Sequence, residues 1–152
     1  MMKDGMTTGM SATEAEPFAI GVQILPGDVD GMGHVNNVVY VRWVQEAAIA
    51  HWSAVAPADA QAAIFWVVLR HEIDYLRAAR PGDAVRACTW IGHAQSMRFE
   101  RHTAIIRDDG TVLARARTLW CPVDAATGRP RRVPPEVRAA FSTPGPNPSS
   151  AE

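Results

Sequence analysis

The chain has 152 residues, enough for one domain with a buried core. Its 15 Lys and Arg nearly balance 16 Asp and Glu, so nothing in the overall charge points to nucleic acid or an anionic membrane as partner. All but one of the cationic side chains are Arg, the exception being Lys3, and Arg suits ion pairs and phosphates alike. Cys88 and Cys121 lack C-x-x-C spacing and read as free thiols, not as a zinc or redox pair. No stretch reaches the ~20 apolar residues that span a bilayer, and the N-terminus lacks the apolar core of a signal peptide. A cytoplasmic protein is expected.

Residues 1–15 are mostly small and polar, without periodicity, and are expected to be a disordered tail. Residues 17–25 form an apolar run that Pro26-Gly27 ends, a first strand. After a polar loop at 28–37, residues 38–55 read V-V-Y-V-R-W-V-Q-E-A-A-I-A-H-W-S-A-V, a helix broken on its surface only by Arg42, Gln45, Glu46 and His51. A helix apolar nearly all round is buried, so the rest of the chain must wrap it. Alternation over 64–76 predicts a strand with Val67, Leu69, His71, Ile73 and Tyr75 on one face. Trp66, Val68, Arg70, Glu72 and Asp74 take the other. Three more strands are predicted at 84–94, 97–107 and 111–123, divided by Arg80-Pro81-Gly82-Asp83 and by the hairpin signal Asp108-Asp109-Gly110. Pro134-Pro135-Glu136 opens a short helix to Phe141, and residues 143–152 form a second tail. The expected fold is α+β: one domain at 16–142, with a five-stranded antiparallel sheet of consecutive hairpins around one long helix. An exposed sheet edge and aromatic strand faces call for a dimer or larger assembly.

The chemistry gathers at residues 27–43, G-D-V-D-G-M-G-H-V-N-N-V-V-Y-V-R-W. Two acids sit before a helix start, where backbone N–H groups lack partners and the helix dipole favours negative charge. Asp30 reads either as a carboxylate that attacks or activates water, or as an Asx-turn or capping acid. Asn36 and Asn37 suit a helix cap, His34 suits a structural hydrogen bond, and Gly31 and Gly33 suit either tight backbone near a ligand or positive φ. Asp28, Asp30 and His34 offer a possible metal set, but no second cluster completes it, so no metal is expected.

The run D-V-D-G-M-G-H-V-N-N-V-V-Y, followed by R-W-V-Q-E-A, resembles the D-x-D-x-x-G-H-V-N-N-x-x-Y signature of hotdog-fold acyl-CoA thioesterases of the 4-hydroxybenzoyl-CoA thioesterase type. The stretches H-E-I-D-Y-L-R-A-A-R-P-G-D and T-L-W-C-P-V-D-A-A-T-G-R-P-R-R-V-P extend the similarity from about residue 17 to residue 141. The resemblance implies a hotdog fold and hydrolysis of an acyl-CoA to a carboxylic acid and free coenzyme A, with no cofactor. It makes Asp30 the nucleophile or general base, and an N–H near Asn37 the donor to the developing oxyanion. His34, Val35, Asn36 and Tyr40 then face substrate, Asp28 and Gly33 support the loop, and the assembly is a homodimer or homotetramer. Glu46 matches the family's E-x-x-R acid, but Ile49 stands where its Arg often sits. Arg80, Arg98, Arg101, Arg131 and Arg132 are candidates for the phosphates of coenzyme A. Trp43, Trp52, Trp66, Trp90 and Trp120 could line an acyl or aryl pocket or fill the core. A hydratase or dehydratase of acyl thioesters, and a non-catalytic acyl-CoA-binding domain, are the alternatives on the same fold.

Overall fold

A computed structural model describes residues 12–142. Nine segments follow in order: strand β1 (Phe18–Val22), a 3-10 turn (Pro26–Asp28), helix α1 (Asn37–Val55), helix α2 (Ala58–Ala63), strands β2 (Ile64–Tyr75), β3 (Val85–Gln95), β4 (Arg98–Arg107) and β5 (Val112–Asp124), and helix α3 (Pro135–Phe141). The six-residue α2 is too short for an apolar period to announce it. The C-terminal tail lies outside the described residues, as does most of the N-terminal one. Of the described residues before β1, Ala12 is buried, and Glu16 N–H donates to Thr13 Oγ1 at 3.0 Å.

The sheet is antiparallel with spatial order β1-β3-β4-β5-β2. The expectation of consecutive hairpins is therefore corrected at one connection. β2 and β3 do not pair; β2 lies against β5 along its whole length, from Ile64 opposite Asp124 to Tyr75 opposite Ala114. The Arg80-Pro81-Gly82-Asp83 turn belongs to a crossover past the start of α1, where Val35 N–H donates to Ala79 O. Gly82 adopts φ +90 there, the left-handed region that glycine enters without steric cost.

The two predicted faces of β2 also need correction. Its pairing with β5 slips between Val68 and Arg70, so Leu69 is an extra residue and the alternation changes parity. Ile64, Trp66 and Val68 pack inwards before the bulge, and Ile73 does so after it. Phe65, Val67 and Leu69 are left 58%, 46% and 48% exposed on an edge strand.

Helix α1 buries Val39, Tyr40, Trp43, Val44, Ala47, Ala48, His51 and Trp52, two neighbours on each successive turn. That is one stripe, not all sides: Val38, Gln45, Glu46 and Ile49 are exposed, so the sheet of a single chain covers the helix on one side. The front half of the stripe packs with Val85, Ile105 and Leu113. The rear half enters an aromatic cluster in which Trp66 meets Trp52 edge-on at 5.3 Å and Phe99 at 5.0 Å.

One polar pair lies in this rear core. Arg101, 2% exposed, donates from Nη1 to Thr89 Oγ1 at 2.9 Å and to His51 Nδ1 at 3.1 Å. Its guanidinium also stacks over Phe141, 5.1 Å from the ring centroid. Burial pushes Arg101 down to about 9, which leaves it a cation at neutral pH. Burial, aided by the Arg101 charge, pushes His51 down to about 3. A His that folds in its neutral form favours the native state above its unfolded pKa of about 6.5, and that stability is lost as pH falls towards 3. Urea unfolding should therefore show stability dropping below pH 6.5, with a His51 share of up to ~1.4 kcal/mol per pH unit. His51→Gln should remove that share; parallel pH profiles for the two proteins would contradict it.

Candidate active site

The loop before α1 is a closed structure of its own. Asn36 N–H donates to Asp28 O at 2.8 Å, Asp30 N–H to His34 O at 2.8 Å, and Gly33 N–H to Asp30 O at 3.1 Å. Gly33 makes the turn possible with φ +79. Asn36 caps the helix, its side-chain oxygen accepting Val38 N–H at 3.1 Å. The Asn37 amide, first of the helix, has no hydrogen-bond partner among the described residues. The Asn37 carbonyl receives the Tyr75 hydroxyl at 3.2 Å, a contact between the end of β2 and the helix start that the alternation of β2 alone does not reveal.

The two acids differ in their surroundings. Asp28 is buried and takes both arms of the Arg42 fork, Nη1 at 2.9 Å and Nη2 at 2.7 Å, together with Leu25 N–H at 2.8 Å. The Arg42 hydrogen bonds, then the Leu25 amide, lower Asp28 to about 2. Arg42 also reaches Glu46 at 3.4 Å, one helical turn on. Asp30 is exposed. Its Oδ1 accepts Met32 N–H at 2.9 Å and His34 N–H at 3.1 Å, while Oδ2 has no protein partner among the described residues. The carboxylate is thus held in one orientation with one oxygen available.

The other predicted residues separate. Gly33, His34, Asn36 and Asn37 stay with Asp30 in the loop and helix start, with His34 joined through its backbone. Val35 and Tyr40 turn into the core, away from any solvent-facing site. Val35 N–H donates to Ala79 O at 2.8 Å, and the Tyr40 hydroxyl accepts Ala79 N–H at 2.9 Å. Their buried position ties the crossover to the helix. Arg101 is likewise set apart from the exposed phosphate candidates, because it is 2% exposed and faces the interior of the domain. Of the others, Arg131 pairs with Asp124 at 3.3 Å, while Arg80, Arg98 and Arg132 are exposed.

A cavity of about 670 Å³ opens elsewhere, between the rear half of α1 and the sheet. Trp52, Trp66, Phe99, Trp120 and Phe141 form its apolar body, and Gln45, Ile49 and Phe65 lie at its exposed rim. Three of the five tryptophans thus line a pocket, whereas Trp43 is in the front core. Sequence periodicity gives no sign of it, because its walls come from seven separate segments.

Taken together, a five-stranded antiparallel sheet holding one long helix, with an acidic loop at the helix start, defines a hotdog-fold domain. Over residues 24–141 the chain matches the Thioesterase-like superfamily, and it belongs to that family. Its fold is similar to a thioesterase of Thermus thermophilus crystallised with coenzyme A and Zn, with TM-score 0.74, 24% identity, and coverage of 85% of this chain and 94% of that one. It is also similar to a 1,4-dihydroxy-2-naphthoyl-CoA thioesterase of Synechocystis, with TM-score 0.69, 21% identity, and coverage of 82% and 94%. A chloroplastic acyl-[acyl-carrier-protein] hydrolase of Cuphea viscosissima is 30% identical over 77 residues, which are 49% of this chain. The chain spans 18% of the length of that relative.

Arg42→Met should raise the Asp28 pKa from about 2 towards the ordinary carboxylate value, because it removes the largest cause of the shift. Carboxyl 13C NMR titration reads this directly. An unmoved Asp28 would mean that the Leu25 amide alone holds the charge. In the wild type, the contribution of this pair to stability should be complete above about pH 4 and be lost as pH falls towards 2.

Proposed function

We propose that the chain hydrolyses acyl-CoA thioesters, R–CO–S–CoA + H2O giving R–COOH and HS–CoA, with Asp30 as the reacting carboxylate. The observation that carries this is the held, half-satisfied Asp30 carboxylate in a loop closed onto the start of a 19-residue helix. A thioester carbonyl set before the Asn37 amide gains a hydrogen bond as its oxygen becomes negative, and the helix dipole acts in the same sense. Asp30 Oδ2 can attack the carbonyl, expelling the thiolate and leaving a mixed anhydride that water opens. Alternatively, Asp30 takes a proton from the attacking water and passes it to the departing sulfur. Neither route calls for a metal or redox cofactor.

Membership of the Thioesterase-like superfamily, the thioesterase neighbours in fold and the acyl-carrier-protein hydrolase relative all support thioester hydrolysis. A neighbour crystallised with coenzyme A supports that group as the leaving thiol. In this chain exposed Arg80, Arg98 and Arg132 are free to meet its phosphates. Hydratase chemistry is less well served, since the ring of His51, the histidine on α1, is hydrogen-bonded to Arg101 and not to an acid. Unpaired Cys88 and Cys121 support a cytoplasmic setting, and no described helix is long and apolar enough to cross a membrane.

In Asp30→Asn, thiol release from acyl-CoA should fall by about 10²–10⁴-fold while the thermal unfolding curve keeps its midpoint. Undiminished turnover would remove Asp30 from the mechanism. We also infer a homodimer or homotetramer assembled on the β2 edge, supported by exposed Phe65, Val67 and Leu69 beside exposed Ile49 of α1. Sedimentation should show the wild type as a dimer or tetramer and Val67→Lys/Leu69→Lys as a smaller species. A monomeric wild type would overturn this.

A further inference from the structure

The pocket behind α1 has an unusual polar inventory. None of its lining residues is acidic, yet Arg101 forms part of its wall as a cation that is 2% exposed. Among the described residues no carboxylate comes within ion-pair distance of Arg101, and its hydrogen bonds run from Nη1 alone, to a hydroxyl and a neutral imidazole. Two further walls, Trp66 and Trp120, carry buried indole N–H groups without an acceptor. Indole nitrogen can only donate, and guanidinium can only donate. Gln45 and Gln61 add two neutral amides to the lining, so the cavity is apolar in body and holds a buried cation with no negative charge to balance it.

Leaving a buried cation without its counter-charge and buried donors without acceptors is costly, and native structures satisfy such groups. Water could meet the indoles, but it brings no charge to balance the guanidinium. A carboxylate does both, offering two oxygens with about four lone-pair sites to a planar fork. The remaining walls, Ala48, Trp52, Val68 and Phe99 among them, fit a hydrocarbon chain or ring, and about 670 Å³ is ample for one.

We propose that this pocket takes the acyl part of the substrate and that Arg101 determines specificity by binding a second, free carboxylate at the far end of that acyl group. The preferred substrates are then monothioesters of dicarboxylic acids. The inference rests on the thioesterase reading above, but its ligand chemistry stands on the pocket alone. It also bears on chain length. At about 1.5 Å of helix per residue, Gln45 lies about 12 Å and Trp52 about 22 Å from the helix start at Asn37. An acyl group that reaches from the loop of the same chain into the pocket must be long, whereas the loop of a second copy on the β2 edge could serve shorter ones.

The test compares matched pairs: adipoyl-, suberoyl- and sebacoyl-CoA against hexanoyl-, octanoyl- and decanoyl-CoA, followed by thiol release. The carboxylated member should have at least tenfold higher kcat/KM at one or more lengths, with the gain mainly in KM. Arg101→Met should bring that ratio close to one, and Arg101→Lys should restore part of it. A second measurement is independent of hydrolysis: quenching of tryptophan fluorescence by free suberate against octanoate, in the wild type and in both variants. Suberate binding that weakens tenfold or more in Arg101→Met, with Arg101→Lys folded and intermediate, supports the assignment even if no acyl-CoA is cleaved. That last result would count against the thioesterase reading instead. Measurable hydrolysis with equal kcat/KM for every pair in the wild type overturns the substrate class, whether or not suberate binds. Equal suberate binding by the wild type and a folded Arg101→Met overturns the role of Arg101.

Discussion

The Tyr40 hydroxyl accepts Ala79 N–H at 2.9 Å, while the Ala79 carbonyl receives Val35 N–H at 2.8 Å. Ala79 is fully buried, so neither of its backbone groups can turn to water if its partner is lost. Leaving a buried group of this kind unpaired costs about 1–3 kcal/mol, a sizeable share of the net stability of a small domain. The contact joins three parts of the chain: the end of the acidic loop through Val35, the first turn of α1 through Tyr40, and the crossover that carries β2 into β3. The placement of Asp30 depends on it. With Val35 pinned, the short loop from Asp28 to Asn36 has little freedom, and its internal hydrogen bonds can hold the carboxylate still.

Charge is divided along α1 in a consistent way. At the front, Arg42 neutralises Asp28, which leaves Asp30 as the loop acid without a cationic partner among the described residues. At the rear, Arg101 is a cation without an acid. Under the proposed function, a carbonyl carbon under attack and a free carboxylate at the far end of the acyl group need opposite things from a protein: a negative group at one and a positive group at the other. The helix separates these two requirements in space, and its buried stripe of paired residues fixes the distance between them.

How much of this was legible in the sequence depends on how local each feature is. The loop is written in the ten consecutive residues 28–37, and its chemistry could be read because Asp, Gly and Asn act there through nearby backbone. The long helix, the hairpins from β3 to β5 and the exit helix were equally open to view. The pairing of β2 with β5 was hidden, since a strand states its own period but not its partner, and β3 was the nearer candidate. The family resemblance turned Tyr40 towards substrate, yet its hydroxyl is engaged by Ala79, 39 residues later. Arg101 was hidden more deeply. An Arg in an alternating strand reads as solvent-facing, and burying one without an acid breaks the usual pattern. The sheet accepts it because Thr89, His51 and Phe141, from three separate elements, converge on it.

The extra residue at Leu69 links the two ends of the helix. In an unbroken strand, residues of one parity share a face, so Trp66 and Tyr75 would lie on opposite sides of β2. Trp66 belongs to the pocket wall, and Tyr75 packs edge-on against Tyr40 and donates to the Asn37 carbonyl. Both contacts are on the helix side, and one strand can make both only if its parity changes between them. The bulge supplies that change and bends the strand around the helix as it does so. The same slip leaves Phe65, Val67 and Leu69 together on the outer face, so the device that lets β2 serve the pocket and the helix start also creates the apolar edge. Removing the bulge would turn either the pocket wall or the support of the helix start outwards, which is why pocket, loop and edge are best understood as consequences of one register choice.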